Sequence, residues 1–265
     1  VTLRLVPIAH GDLCHGWEWA IDDEDVLAER VARIVLGQYR HVGKILTGAG
    51  VPGLVANAEQ ANAAIKQLTL ANGESPWHRD GWLFQSISWI AAYQQPSASL
   101  TRMPHIRKAD KGFDGMQLEL NRLGTVVTAV VIFEDKATGN ARDTIRDDVW
   151  PGIVALEKGE RLNELSQEVS GMLDARAATD TQFDLDTAIA NTLWHDARRY
   201  RVSITIDDTH NDADARKRLF KGFDDSAPGA IARRRADTIY LPELREWMEG
   251  FAARVIVKIK AITSV

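Results

Sequence analysis

The sequence predicts an α/β protein: a helix, three strands, a second helix and a fourth strand, preceded by a helical N-terminal extension. Three observations carry this. In "DGWLFQSISWIAAYQQ", Leu83, Ile87, Ile90 and Ala91 recur at helical spacing, and Trp82, Trp89 and Tyr93 widen that stripe into a helix buried on more than one side. In "GFDGMQLELN" and "TVVTAVVIFEDK" the pattern changes to alternation at Met116, Leu118 and Leu120, then to a continuous run from Val130 to Phe133. Helical spacing then returns over 142–175 at Ile145, Val149, Ile153, Leu156, Leu162, Leu165, Val169 and Leu173, before "RRYRVSITIDD" reads as the fourth strand.

The elements follow in order. "TLRLVPI" opens as a short strand. "DDEDVLAERVARIVLGQYRHV" places its acids first and its apolar residues at Val26, Leu27, Val31, Ile34 and Val35, the charge order and spacing of an amphipathic helix. "VPGLVANAEQANAAIKQLTLA" predicts another helix, entered through Pro52 and Gly53. Residues 1–76 thus form the expected helical extension, and 77–265 the main domain. "SLTRMPHIR" is the first of the three strands, and Pro151 is expected to kink or divide the long helix after them. The last third reads as a helix in "DADARKRLFKGF", a helix in "LPELREWMEGFAARV" and a final strand in "RVIVKIKAI".

At 265 residues, 45% of them hydrophobic, the chain can bury a substantial core. A net charge of −5 argues against a protein that coats nucleic acid over its whole surface, but leaves room for a local basic cleft. One cysteine, Cys14, excludes a disulfide framework within the chain and a Cys-rich zinc site, and is expected to be a buried thiol. No apolar run approaches the roughly 20 residues that cross a bilayer, and the first residues do not read as a signal peptide. The expectation is a soluble cytoplasmic protein with no membrane partner. No glycine-rich phosphate loop is present, so the chain is not read as an ATPase itself.

The chemistry is expected where the strand "VVIFEDK" ends in Glu134, Asp135 and Lys136. Alternation points Glu134 and Lys136 one way and Asp135 the other. If this strand forms an antiparallel hairpin with "GMQLEL" through "NRLGT", then Asp114, between Gly112 and Gly115, lies beside Glu134 and Lys136. Two carboxylates so close require a cation between them. A hard divalent ion such as Mg²⁺ fits, with the Asp135 carbonyl as a further oxygen ligand and Lys136 beside a water or phosphate.

These residues resemble the PD-(D/E)XK, or restriction-endonuclease-like, nuclease superfamily: Asp114 matches its first acid and Glu134, Asp135 and Lys136 stand as E-x-K. The resemblance implies a central mixed sheet flanked by helices in the same element order. It also implies a Mg²⁺ site, with Mn²⁺ able to substitute, held by Asp114, Glu134 and Asp135, with Lys136 assisting the attacking water. Gln85 is the matching polar residue of the first helix, and Gln167 the alternative on the later one. "DGWLFQSISWIAA", "KGFDGMQLEL" and "FEDKAT" together look like the nuclease subunit of Hachiman-type bacterial antiphage defence systems, over about residues 78–206. That likeness implies phosphodiester hydrolysis, of DNA first, and a helicase or other NTPase partner. Two departures stand out. Phe113 occupies the place of the motif's proline, and Asp135, where the motif is apolar or small, needs solvent or a partner such as Arg142 or Arg146.

The rival reading is a catalytically inactive nuclease-fold subunit that binds nucleic acid or regulates an ATP-driven helicase. Arg107, Lys108 and Lys111, just before Asp114, are candidate nucleic-acid contacts. Arg233, Arg234 and Arg235 read as a solvated loop, and Asp207, Asp208, His210 and Asp212 as a polar loop capping the next helix rather than a metal cluster. His78, His105 and His195 read as isolated structural histidines.

Overall fold

The computed structural model describes residues 2–49, 53–95, 99–105, 112–177 and 195–263, the side chains of 175–177 excepted. It is α/β, with a seven-stranded mixed sheet in the order β1-β2-β7-β6-β5-β4-β3. The strands are β1 (Leu3–Ala9), β2 (His15–Ile21), β3 (Ser99–Thr101), β4 (Gly115–Leu120), β5 (Val127–Lys136), β6 (Arg198–Ile206) and β7 (Arg234–Tyr240). Among the described residues the α-helices are α1 (Glu24–Val35), α2 (Tyr39–Leu46), α3 (Ala58–Leu68), α4 (Trp77–Gln94), α5 (Ala141–Thr144), α6 (Trp150–Glu157), α7 (Leu162–Ala177), α8 (Ala213–Leu219) and α9 (Leu244–Ile262), with one further short turn of helix at Phe223–Ser226. From α4 to β6 the expected order of helix, three strands, helix and strand is present. β4 pairs with β5 antiparallel, and β5 with β6 parallel.

The sheet separates two cores. On one face α1, α3, α4 and α9 bury Leu27, Val31, Leu68, Leu83, Ile87, Phe251 and Val255 with Trp19 and Ile239 of the sheet. On the other, Ile132, Val130, Met116 and Tyr200 meet Ile153, Leu165 and Val169 from α6 and α7. Cys14 is fully buried in this second core, and burial pushes its thiol up to about 12. Local signals account for the ends: Asp23 caps α1 by accepting from the Val26 N–H, and Asn57 and Gln60 form a reciprocal capping box at α3.

Several expectations are corrected. Residues before 77 supply helices, but also a hairpin, β1 with β2, that extends the sheet by pairing β2 parallel to β7. "RVIVKIKAI" is no strand: it completes α9, where Met248, Phe251, Ala252, Val255 and Ile259 are buried at spacings of three and four while Val257 is exposed. Helical backbone runs on through Pro151, which sits in the first turn of α6 just after a π turn at Ile145–Val149. The break comes at 158–161, where Gly159 and Arg161 both take left-handed backbone, φ 94° and 60°. No described helix is long and apolar enough to cross a membrane.

Candidate active site

Register brings the site together. Gly115 pairs with Phe133, so Asp114, one residue earlier, comes level with Glu134. A side chain at 115 would place its Cβ 2.5 Å from the Phe133 ring, which is why glycine follows the aspartate. Asp114 accepts from Gln85 Nε2 on one oxygen, 2.6 Å, and from the Asp135 main-chain N–H on the other, 2.8 Å. Lys136 Nζ stands 3.1 Å from Glu134 and 3.7 Å from Asp114. The four side chains singled out from the sequence, Gln85, Asp114, Glu134 and Lys136, thus converge where β4 begins and β5 ends. The three charged ones keep 19%, 15% and 29% of their side-chain surface open, in chain order. Gln167, the alternative to Gln85, is exposed along α7.

Burial raises the Glu134 carboxyl above its usual range; Lys136 pulls it back and the Asp114 charge pushes it further up. Burial would lower Lys136, but Glu134 and Asp114 outweigh that and hold the ammonium above the ordinary lysine value. The lysine is therefore charged, a donor between two acceptors.

The Asp135 carboxylate is not part of this group. It points to the opposite face of β5, as alternation requires, and is 1% exposed. Neither Arg142 nor Arg146 meets it: Arg142 donates to the carbonyls of Leu219 and Lys221, and Arg146 pairs with Asp143 and Asp147. Its partners are Ser88 Oγ, which donates at 2.7 Å, and Arg201, 4.0 Å away. Burial pushes this carboxyl up to about 7 against the pull of Arg201. Its main chain is placed differently. In an extended strand the N–H and C=O of one residue point to the same side, so the N–H that reaches Asp114 turns the Asp135 carbonyl to the Asp114 side, beyond the start of β4. Two carboxylates and that carbonyl form a hard-oxygen set suited to Mg²⁺. Among the described residues no three His, Cys, Asp or Glu side chains cluster as ligands.

Some of the surroundings were not foreseen. Phe113, in the place of the motif's proline, is buried and gripped on both sides: its carbonyl accepts from Arg102 Nη1 at 3.0 Å and lies 2.9 Å from His105 Nε2, while the Arg161 guanidinium stacks 4.3 Å from its ring. His105 is therefore structural but adjacent to the site rather than isolated. Arg161 and Glu164 form a two-bond pair at the start of α7. Their spacing in sequence suggests only a helix-end ion pair, so the nearness of Asp114 had no local signal.

Other expected contacts resolve differently. Arg107, Lys108 and Lys111 lie outside the described residues. The Arg233–Arg235 run is not a solvated loop: it enters β7, Arg233 reaches Glu157 and the Arg198 carbonyl, and Arg234 donates to the carbonyls of Leu13, Asp12, Ala227 and Gly229. Arg235 turns to Gln95 and Glu119. Asp207 and Asp212 are caps, accepting from the N–H groups of Thr209 and Ala215, and Asp208 accepts from Tyr240, in keeping with a polar loop. No family model, curated protein or solved structure matches the chain.

Proposed function

We propose that the chain is a Mg²⁺-dependent nuclease, hydrolysing phosphodiester bonds of DNA, with a core of the restriction-endonuclease-like kind and a place in bacterial antiphage defence or restriction. The observation that carries the reading is the convergence of Asp114, Glu134 and Lys136 on one partly open spot, with Gln85 bonded to Asp114. The order of elements around it and the E-x-K resemblance support it.

Asp114, Glu134 and the Asp135 carbonyl would hold Mg²⁺, or Mn²⁺ in its place; a bound ion there supplies Lewis-acid activation of water and offsets charge on the phosphate. The rest falls to the chain's own groups. Gln85 holds one Asp114 oxygen and the Asp135 N–H the other, which fixes the orientation of the carboxylate. Lys136, held protonated by its neighbours, donates to the attacking water or to a phosphate oxygen. The acidic overall charge limits intrinsic affinity for nucleic acid, which favours work alongside a helicase or other NTPase subunit. Purified protein should nick plasmid DNA with Mg²⁺, stop with EDTA, and resume with excess Mg²⁺ or Mn²⁺. Lys136→Ala should lose cleavage while keeping its thermal unfolding. EDTA-resistant cutting, or full activity in Lys136→Ala, rejects the reading.

One observation favours a second reading. Lys136 already lies within ion-pair reach of both carboxylates and can neutralise the pair by itself. The chain would then be a catalytically inactive nuclease-fold subunit that binds nucleic acid or regulates a helicase. Calorimetry decides: no uptake of Mg²⁺ or Mn²⁺, with a stable helicase complex, selects it.

A further inference from the structure

Arg161 stands in the link between α6 and α7, a left-handed residue that is not glycine, φ 60°. An L side chain is disfavoured there. Its carbonyl opens α7 by accepting from the Leu165 N–H. Its side chain folds back over Phe113, the residue before Asp114, 4.3 Å from ring centre to guanidinium carbon. This is the sheet face towards which Glu134 and Lys136 point, since Ile132, two residues before Glu134, shares a core with Phe113 and Leu165. Glu164 holds the guanidinium by two bonds, Nε to Oε2 at 2.8 Å and Nη2 to Oε1 at 2.6 Å. Nη1 has no partner among the described residues, and the side chain keeps 40% of its surface open.

A phosphodiester approaching two carboxylates needs positive charge besides that which neutralises the acids. Lys136 lies between Glu134 and Asp114, which offset its charge and leave the pair of acids with a net negative one. Arg161 is placed beside them by the ring stack, and Glu164 orients the fork so that an unused edge remains. A planar guanidinium with open donors matches the oxygens of a phosphate, and a half-exposed ion pair rearranges at little cost.

We propose that Arg161 is a substrate contact, binding a non-bridging oxygen of a backbone phosphate next to the Asp114–Glu134 centre, with Glu164 as its orienting partner. This rests on the nuclease reading above and adds to it the residue that grips the substrate.

The test uses Arg161→Gly and Arg161→Lys. Glycine suits the left-handed backbone, so that variant removes the guanidinium while relieving strain. Binding to fluorescein-labelled duplex DNA, single-stranded DNA and RNA is measured across a salt series, together with KM and kcat for cleavage. Arg161→Gly should unfold at the wild-type temperature or above it, bind about tenfold more weakly, and show a salt slope shallower by about one phosphate contact. Arg161→Lys should keep the slope and lose part of the affinity. Wild-type slope, affinity and KM in Arg161→Gly overturn the assignment. If that happens while Glu134→Ala is inactive, only the Arg161 contact fails. If Glu134→Ala cuts normally, or the wild type binds none of the three probes, the nuclease reading fails with it.

Discussion

Residues 134 to 136 of β5 feed two charged clusters on opposite faces of the sheet, and the clusters are built to opposite ends. Glu134 and Lys136 join Asp114 in a group that stays partly open and leaves like charges together. Asp135 joins Arg201, Asp237 and Ser88 in a group with no opening: Arg201 and Asp237 are 0% exposed and 3.2 Å apart. Arg201 also lies 4.1 Å from the centre of the Phe133 ring and 5.3 Å from that of Trp19. Both groups set two acids against one cation; the closed one seals them from water and lays its arginine against two rings, while the open one keeps 15–29% of each side chain exposed. Closure makes the first a fastening between sheet and α4, and exposure leaves the second able to take a ligand. The fastening also serves the site, because Arg201 donates to the Ser88 carbonyl at 3.1 Å and Ser88 lies one helical turn from Gln85.

Substitutions should separate the two. The largest effect is expected in the open group: Asp114→Ala lowers the cleavage rate by about 10²–10⁴-fold while thermal unfolding stays at or above the wild-type temperature, since like charges are relieved. A parallel loss of stability would show that the open group is structural after all. Next comes the closed group, where Arg201→Met strands Asp135 and Asp237 and costs about 3–5 kcal/mol in urea unfolding. A change of only a few tenths would break the contrast.

Asp135→Asn sharpens it, because the amide keeps the Ser88 bond and the main chain is unaltered. Stability should fall by about 1–2 kcal/mol, with cleavage and Mg²⁺ uptake retained. Abolished uptake would assign the carboxylate, not the carbonyl, to the metal.

The smallest effect concerns a second closed cluster, around Glu157. Burial raises that carboxyl, but the Tyr200 hydroxyl, Arg233 and Arg198 outweigh it and hold it below its ordinary 4.5. A depressed acid contributes stability above its unfolded value and loses it as pH falls through the folded one. The acid limb of a stability profile below about pH 4.5 should be shallower in Glu157→Gln than in the wild type; identical limbs would contradict this.

The open group was legible in sequence because its parts are close in the chain: an apolar run ending in Glu134 and Lys136, and Asp114 before the paired strand with Gly115 beside it. The closed group was not, because Arg201 and Asp237 come from strands paired only once the fold is complete. Likewise Arg233 and Arg234 look solvated until distant carbonyls at Arg198, Leu13 and Asp12 meet them. "RVIVKIKAI" alternates like a strand, and only the surface offered by α1 and α3 makes it a helix. β2, "HGWEWAI", was missed as a strand because few of its side chains are buried.

The most direct measurement is cleavage of labelled DNA under Mg²⁺ by the wild type and by Glu134→Ala, with both shown to be folded by circular dichroism. The account predicts cutting by the wild type and none by the variant. Equal cutting by both, or none by a wild type that also fails to take up Mg²⁺, would contradict it.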